Sequence, residues 1–304
     1  MERVNHLKKV LYKNKYLLLM SIPGLVLVIT FCYIPMYGIV IAFQRFSSAK
    51  GYFRSPWVGL YYFRMFLMDP YAWRVFRNTL LLGVYSILFG FPPPIILALI
   101  FNEVKSNWYK KTVQTLSYIP HFVSTVIIVG LIKEMFSSDG GIINIMIQNL
   151  GGSPIVFMSR PEWFRTLYIG SGVWKDVGFG TIIYLASISG INPEIYEAAT
   201  IDGASRWGKM IYVTIPSIMP TIVILLILRV GGILGNDYMK ILLMYSPATY
   251  ETADVISTYV YRAGLENASF SYAAAVGLMQ NIISMIFLIT TNYISKKVNE
   301  TSLW

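Results

Sequence analysis

Hydrophobic residues come along this chain in long runs separated by short polar stretches. Six runs approach or exceed the roughly 20 residues that an α-helix needs to cross a hydrocarbon core about 30 Å thick. They are residues 16–43, 79–101, 119–136, 167–190, 211–235 and 273–295. A backbone in lipid has no water to bond with, so each run must satisfy its own hydrogen bonds, and runs of this length do so as helices rather than as barrel strands. The expected fold class is all-α, a polytopic membrane protein with six transmembrane helices. Its plan is a tail at 1–15, a first helix at 16–43, an external loop at 44–78, a core of five helices at 79–295 that contains a polar loop at 191–210, and a tail at 296–304.

Composition agrees with this class: of 304 residues, 55% are hydrophobic and 13% charged, far from a soluble globular balance. The net charge of +10 reports orientation rather than nucleic acid as a partner. Arg3, Lys8, Lys9, Lys13 and Lys15 precede the first apolar run and favour an N-in, C-in topology. The loop at 44–78 also holds Arg45, Lys50, Arg54, Arg64, Arg74 and Arg77, so the bias is not one-sided. The first run is longer than a signal-peptide core and no A-x-A site follows it, which predicts a retained helix. Cys32 is the only cysteine, leaving no internal disulfide and no cysteine-based metal site. His6 and His121 are the only histidines, and neither H-E-x-x-H nor G-x-S-x-G occurs, so no catalytic or metal residues are assigned.

Proline marks irregular helices. Pro92, Pro93 and Pro94 fall in the second run, and Pro216 and Pro220 in the fifth; each removes a donor and predicts a kink. The polar loop reads as a short helix. Asn192 followed by Pro193 is a helix start, Glu194 and Glu197 suit the positive end of the helix dipole, and Asp202 and Gly203 supply a turn that ends it. On a helical wheel Glu194, Glu197 and Ile201 share one side and Ile195, Tyr196 and Ala199 the other. Ala198 and Ala199 have little bulk, which permits close approach of a partner, and Asp202 is expected to cap the helix that follows. Residues 203–210, GASRWGKM, fit G-x4-G-K. However, Met210 stands where a phosphate-binding loop needs Ser or Thr, and no strand precedes it.

Ionisable groups at membrane depth face a cavity or each other. Lys175 and Asp176 in the fourth run are read either as charges satisfied between helices or, with Arg229 in the fifth, as part of a route for cargo. On the second reading Trp174 and Tyr184 offer aromatic faces to sugar rings, and the cations favour acidic sugars such as uronates. The segment at 254–262, DVISTYVYR, interleaves acidic, aromatic and basic residues. It is read either as a contact for an external protein or as a loop packed on a partner in the membrane.

The spacing EAA-x3-G-x9-[IV]-x-[LI]-P is filled by Glu197, Ala198, Ala199, Gly203, Val213, Ile215 and Pro216. It resembles the cytoplasmic coupling loop of the membrane subunits of ABC importers. From about residue 16 to 294 the chain is similar to permeases of the maltose-transporter type, in the branch associated with complex oligosaccharides and polysaccharide fragments. The strongest likeness lies at 192–220, with support from LALIFNE at 97–103, LSYIPHFVST at 116–125, VWKDVGFGTIIYLA at 173–186 and ADVISTYVYRAG at 253–264.

That resemblance implies a type I ABC importer permease fold in the bacterial cytoplasmic membrane. It implies as partners a second homologous permease, two ATPase subunits that use Mg-ATP, an extracellular substrate-binding protein or lipoprotein, a carbohydrate cargo and membrane lipid. The permease itself binds no cofactor and hydrolyses no ATP. Glu197, Ala198, Ala199, Asp202 and Gly203 inherit the role of coupling to the ATPase. Permeases for glycerol phosphate, peptides or ions share this loop, so cargo is less determined than mechanism. A secondary transporter is the alternative that would need no ATPase.

Overall fold

A computed structural model describes residues 13–299 together with 302 and 303. Arg3, Lys8 and Lys9, and parts of both expected tails, lie outside the described residues. Among the described residues the structure is all-helical apart from one isolated bridge between Gln44 and Trp57. The elements that position the site are α1 (Lys15–Val28), α2 (Ala72–Gly90), α3 (Pro92–Glu103), α4 (Asn107–Tyr118), α5 (Thr125–Met135), α6 (Pro161–Ser189), α7 (Pro193–Ile201), α8 (Ile215–Gly231), α9 (Tyr238–Met244) and α10 (Phe270–Asn299).

By length and composition four stretches are able to cross a membrane: Lys15–Phe43, Ala72–Glu103, Arg206–Gly231 and Phe270–Lys297. A fifth forms if Asn107–Phe122 and Thr125–Met135, bent by 97° to each other, are taken as one broken span. The 29 residues of α6 suffice in length, but with Lys175 and Asp176 in its middle it is not among these apolar stretches.

Several boundaries differ from the hydropathy pattern. Residues 107–118, expected in a loop, form α4. Lys110, Lys111 and Gln114 dilute its apolar side, and Ser106 caps it by accepting the Tyr109 N–H at 3.4 Å. The run at 119–136 is not one helix: a 3-10 turn at Ile119–Phe122, with Pro120 in its first turn, separates α4 from α5. Both α2 and α6 begin earlier than their apolar runs, because their first turns are polar and amphipathic. The connections at 44–78, 137–166 and 236–272 contain short helices, including Tyr61–Leu67, Ile142–Asn149 and α9.

Proline shapes the spans as expected, by a specific route. A π turn at Met210–Thr214 precedes Pro216, with the Ile215 N–H reaching back to the Met210 carbonyl. A similar turn at Ile29–Tyr33 precedes Pro35. Widening the turn absorbs the missing proline donor. Between α2 and α3 the helix breaks at Phe91, and Pro92 starts the next segment at a position that needs no N–H.

Packing centres on α6, which runs against α3, α2 and α4, and on the pair α8 and α10. Gly178 makes one crossing possible: a Cβ there would lie 2.0 Å from the Ser117 carbonyl oxygen, so α6 and α4 meet backbone to backbone. One apolar cluster joins Leu82, Ile128, Phe157, Phe164 and Ile241, and another joins Ala98, Leu99, Tyr184, Ile188 and Ile218 near the polar loop. In contrast, α1 buries no residue against the rest of the chain.

The segment at 254–262 turns inward. Asp254 is fully buried and accepts hydrogen bonds from Arg262 Nη2 at 2.7 Å and Thr258 Oγ1 at 2.9 Å, with Arg74 Nη2 at 3.6 Å. The Asn78 side chain donates to the carbonyls of Glu251 and Asp254 and accepts from Arg165 Nη2 at 2.9 Å. Burial opposes the Arg262 charge, but its bonds to Asp254 and Tyr245 outweigh this and hold the guanidinium above its ordinary pKa. The network ties the beginnings of α2 and α6 to the segment before α10. Asp254→Ala would leave two guanidiniums without their counter-charge, a loss of roughly 3–5 kcal/mol for a broken buried pair. The expected outcome is a drop of several degrees in the melting temperature of the purified protein; an unchanged value would mean the network is not structural.

Candidate functional site

Two features stand out, the polar helix α7 and a polar cavity between α2, α5, α6 and the end of α8. At the start of α7, Asn192 Oδ1 accepts the Glu194 N–H at 3.1 Å, as its sequence predicts. At its end the Ala204 N–H reaches the Ala199 carbonyl at 2.9 Å and the Gly203 N–H reaches the Thr200 carbonyl at 3.1 Å. This is a Schellman closure with glycine at the left-handed position, φ +77°. The next turn, Arg206–Lys209, is capped by Ser205 Oγ, which accepts the Gly208 N–H at 3.2 Å. Ser205, not Asp202, therefore caps the helix that follows; Asp202 closes α7 itself.

Nine residues do not make a stable helix in water, and side chains hold this one to the span beside it. The Tyr196 hydroxyl bonds to Thr214 Oγ1 at 2.8 Å, and Lys209 Nζ donates to Thr200 Oγ1 at 2.6 Å. Tyr196 and Ala199 form the half-buried face, whereas Glu194, Glu197, Ala198 and Asp202 are exposed. Ile195, expected on the packed face, is 48% exposed, and Ile201 is 87% exposed. A cleft of about 400 Å³ beside the helix is lined by Asn102, Glu103, Ile188, Tyr196, Arg206 and Lys209.

The second feature is a cavity of about 420 Å³ that brings together Lys175 and Asp176 of α6 and Arg229 of α8. Lys175 Nζ lies 3.5 Å from Thr125 Oγ1. Asp176 Oδ1 is 2.9 Å from His121 Nδ1, and the His121 ring stacks on Phe179 with centroids 3.9 Å apart. Trp174 and Tyr184 do not join them. Trp174, turned about 100° from Lys175 around the helix, is 51% exposed and does not line the cavity. Tyr184 lies about 13 Å further along the axis than Lys175, 4% exposed within the cluster near α7.

Two lining residues were not foreseen, Asp237 and Lys240. Asp237 caps α9, its Oδ1 accepting the Lys240 N–H at 3.1 Å, and its own N–H donates to the Tyr168 hydroxyl at 3.1 Å. Lys240 is 7% exposed. Its ammonium donates to the Tyr168 carbonyl at 2.7 Å and lies 4.6 Å from the centre of that ring. Burial lowers its pKa from the ordinary lysine value to about 8. The signal available in the sequence was a helix-capping Asp followed by a lysine among apolar residues in DYMKILLM.

Helical spans around a polar cavity, with a capped polar helix hung from one of them, define the membrane component of a transport system. The chain belongs to the family of binding-protein-dependent transport system inner membrane components, whose model matches residues 90–300. It is 42% identical over 294 residues to protein LplB of Bacillus subtilis (strain 168), covering 97% of this chain and 92% of that protein. The polygalacturonan/rhamnogalacturonan transport system permease protein YteP of the same organism is 42% identical over the same length and coverage. Among solved structures, a chain of a bacterial alginate ABC transporter in complex with alginate pentasaccharide-bound periplasmic protein matches with a TM-score of 0.88 and 41% identity, over 97% of this chain and 99% of that one. A second structure, of a bacterial ABC transporter involved in the import of the acidic polysaccharide alginate, gives 0.89 and 41% over 96% and 99%.

As a member of this family the chain is a multi-pass permease subunit of the cytoplasmic membrane, a transport component rather than an enzyme, and it works with a substrate-binding protein. Tyr196→Phe removes the tie between α7 and the buried Thr214. A hydrogen bond of this kind contributes about 1 kcal/mol net, so amides of 194–201 are expected to exchange with deuterium about fivefold faster while α8 is unaffected. Unchanged exchange would mean that the tie does not hold the helix.

Proposed function

We propose that this chain is the permease subunit of an ATP-driven, binding-protein-dependent importer of carbohydrates, with oligosaccharides or polysaccharide fragments, acidic ones included, as cargo. It assembles with a second homologous permease and two ATPase subunits that use Mg-ATP. Six spans place both termini in the cytoplasm, so α7 faces the ATPase pair. Glu197, Ala198, Ala199, Asp202 and Gly203 form the surface that seats on the ATPase, and closure of that pair moves α7 and the span hung from it. The route for cargo runs through the cavity of Lys175, Asp176 and Arg229.

The observation that carries this reading is α7 itself: closed at both ends, tied to α8, and presenting exposed apolar and acidic residues to the aqueous phase. Full-length similarity to permeases of polysaccharide-fragment and alginate transport supports the class of cargo. Gly203→Pro removes the N–H that reaches Thr200 and forbids the positive φ. The variant is expected to insert and assemble yet to lose cargo-stimulated ATP hydrolysis in the reconstituted complex. Retained stimulation would refute the role of the loop.

A further inference from the structure

We propose that Lys240 reads the charge of the cargo: with Lys175 and Arg229 it forms a three-cation cradle whose counter-charge is a carboxylate of the transported sugar. The proposal rests on the carbohydrate reading above and adds the residue that selects its acidic members.

All three cations line one cavity, as do two carboxylates, Asp176 and Asp237. Neither acid forms an ion pair with any of the three. Asp176 is engaged with His121 at 2.9 Å, and Asp237 Oδ1 accepts the main-chain N–H of Lys240 rather than its ammonium. Among the described residues the ion pairs within 4.0 Å are Arg74–Asp254, Arg262–Asp254 and His121–Asp176, none of which includes a cradle cation. Arg262, by contrast, is held by a buried carboxylate at 2.7 Å.

Lys240 is the most confined of the three. A buried ammonium whose direct hydrogen bond goes to a neutral carbonyl carries a desolvation penalty, which the more distant carboxylates of Asp237 and Asp176 offset only in part. One of its three donors goes to the Tyr168 carbonyl, and the tyrosine ring covers another side. Gly172 leaves the α6 side uncovered: a Cβ there would stand 3.5 Å from Nζ, in the place where a ligand oxygen would sit. The Tyr168 carbonyl also accepts the Ser171 hydroxyl at 3.1 Å, and a neutral amide at position 240 donates to it as the ammonium does. The charge itself has no ion pair within 4.0 Å, and a carboxylate entering the cavity provides one.

The test uses the complete transporter in proteoliposomes with its binding protein, offered an oligouronide and the methyl ester of the same oligomer. Lys240→Gln keeps a donor for Tyr168 and removes the charge. It is expected to lower uptake of the oligouronide roughly ten- to hundredfold, the range for a lost hydrogen bond to a charged group, with uptake of the ester within twofold. Lys240→Arg should restore the preference.

In the wild type the acid-to-ester ratio should fall as pH rises through about 8, where Lys240 loses its proton, and should stay flat there in Lys240→Arg. The charged groups facing Lys240 are Lys175 and Asp176 from α6, Arg229 from α8 and Asp237 from its own helix. A ratio unchanged in Lys240→Gln, or an equal fall for both sugars, would overturn the proposal while leaving carbohydrate import intact. Failure of the wild type to take up either sugar would instead overturn the carbohydrate reading, and this inference with it.

Discussion

The bond between Tyr196 and Thr214 is the constraint on which the working of this molecule turns. A helix of nine residues standing in water has too few internal bonds to outweigh its ordering entropy, so it exists as a rigid part only while something fixes it. Capping by Asn192 and the closure at Gly203 satisfy its ends. Tyr196 then attaches it to the last residue of the π turn that opens α8. On the proposed coupling role, a load on α7 would reach the span at its widened turn, just before Pro216, rather than at a regular stretch of helix.

Charge is handled in two opposite ways in the same chain. Around Asp254 the guanidiniums of Arg262 and Arg74 share a buried carboxylate, and through Asn78 and Arg165 the network joins the beginnings of α2 and α6 to the segment that leads into α10. Around the cavity Lys175 and Lys240 bond to neutral oxygens, and neither they nor Arg229 form an ion pair with Asp176 or Asp237. A closed network favours one arrangement of helices, since opening it exposes unpaired charge to a low dielectric. An open set of cations instead leaves affinity available for something that comes and goes.

The all-helical membrane class and the short helix α7 were legible from the chain, because hydropathy and capping act locally: run length gives spans, and Asn192-Pro193 and Gly203 fix the ends of α7. What was not legible depended on tertiary partners. Residues 107–118 look like a loop because α4 packs only one side, and its polar residues hide the period. Asp254 and Arg262 look solvated because nothing local reveals that Arg74, Asn78 and Arg165, far away in sequence, converge on them. Trp174 and Tyr184 were grouped with Lys175 by proximity along the chain, but helical rotation and rise carry them to other surroundings. Lys240 escaped notice for the converse reason, lying in a connection that folds back into the cavity.

The account depends most directly on which side of the membrane α7 occupies and on what touches it. The decisive measurement places a cysteine at the exposed Ile201 position in a protein whose Cys32 is replaced by serine, and labels it with a membrane-impermeant maleimide. Labelling is expected in inverted membrane vesicles and not in intact cells, with protection when the ATPase subunits are bound. Labelling from outside the cell, or no protection by the ATPase, would contradict the account.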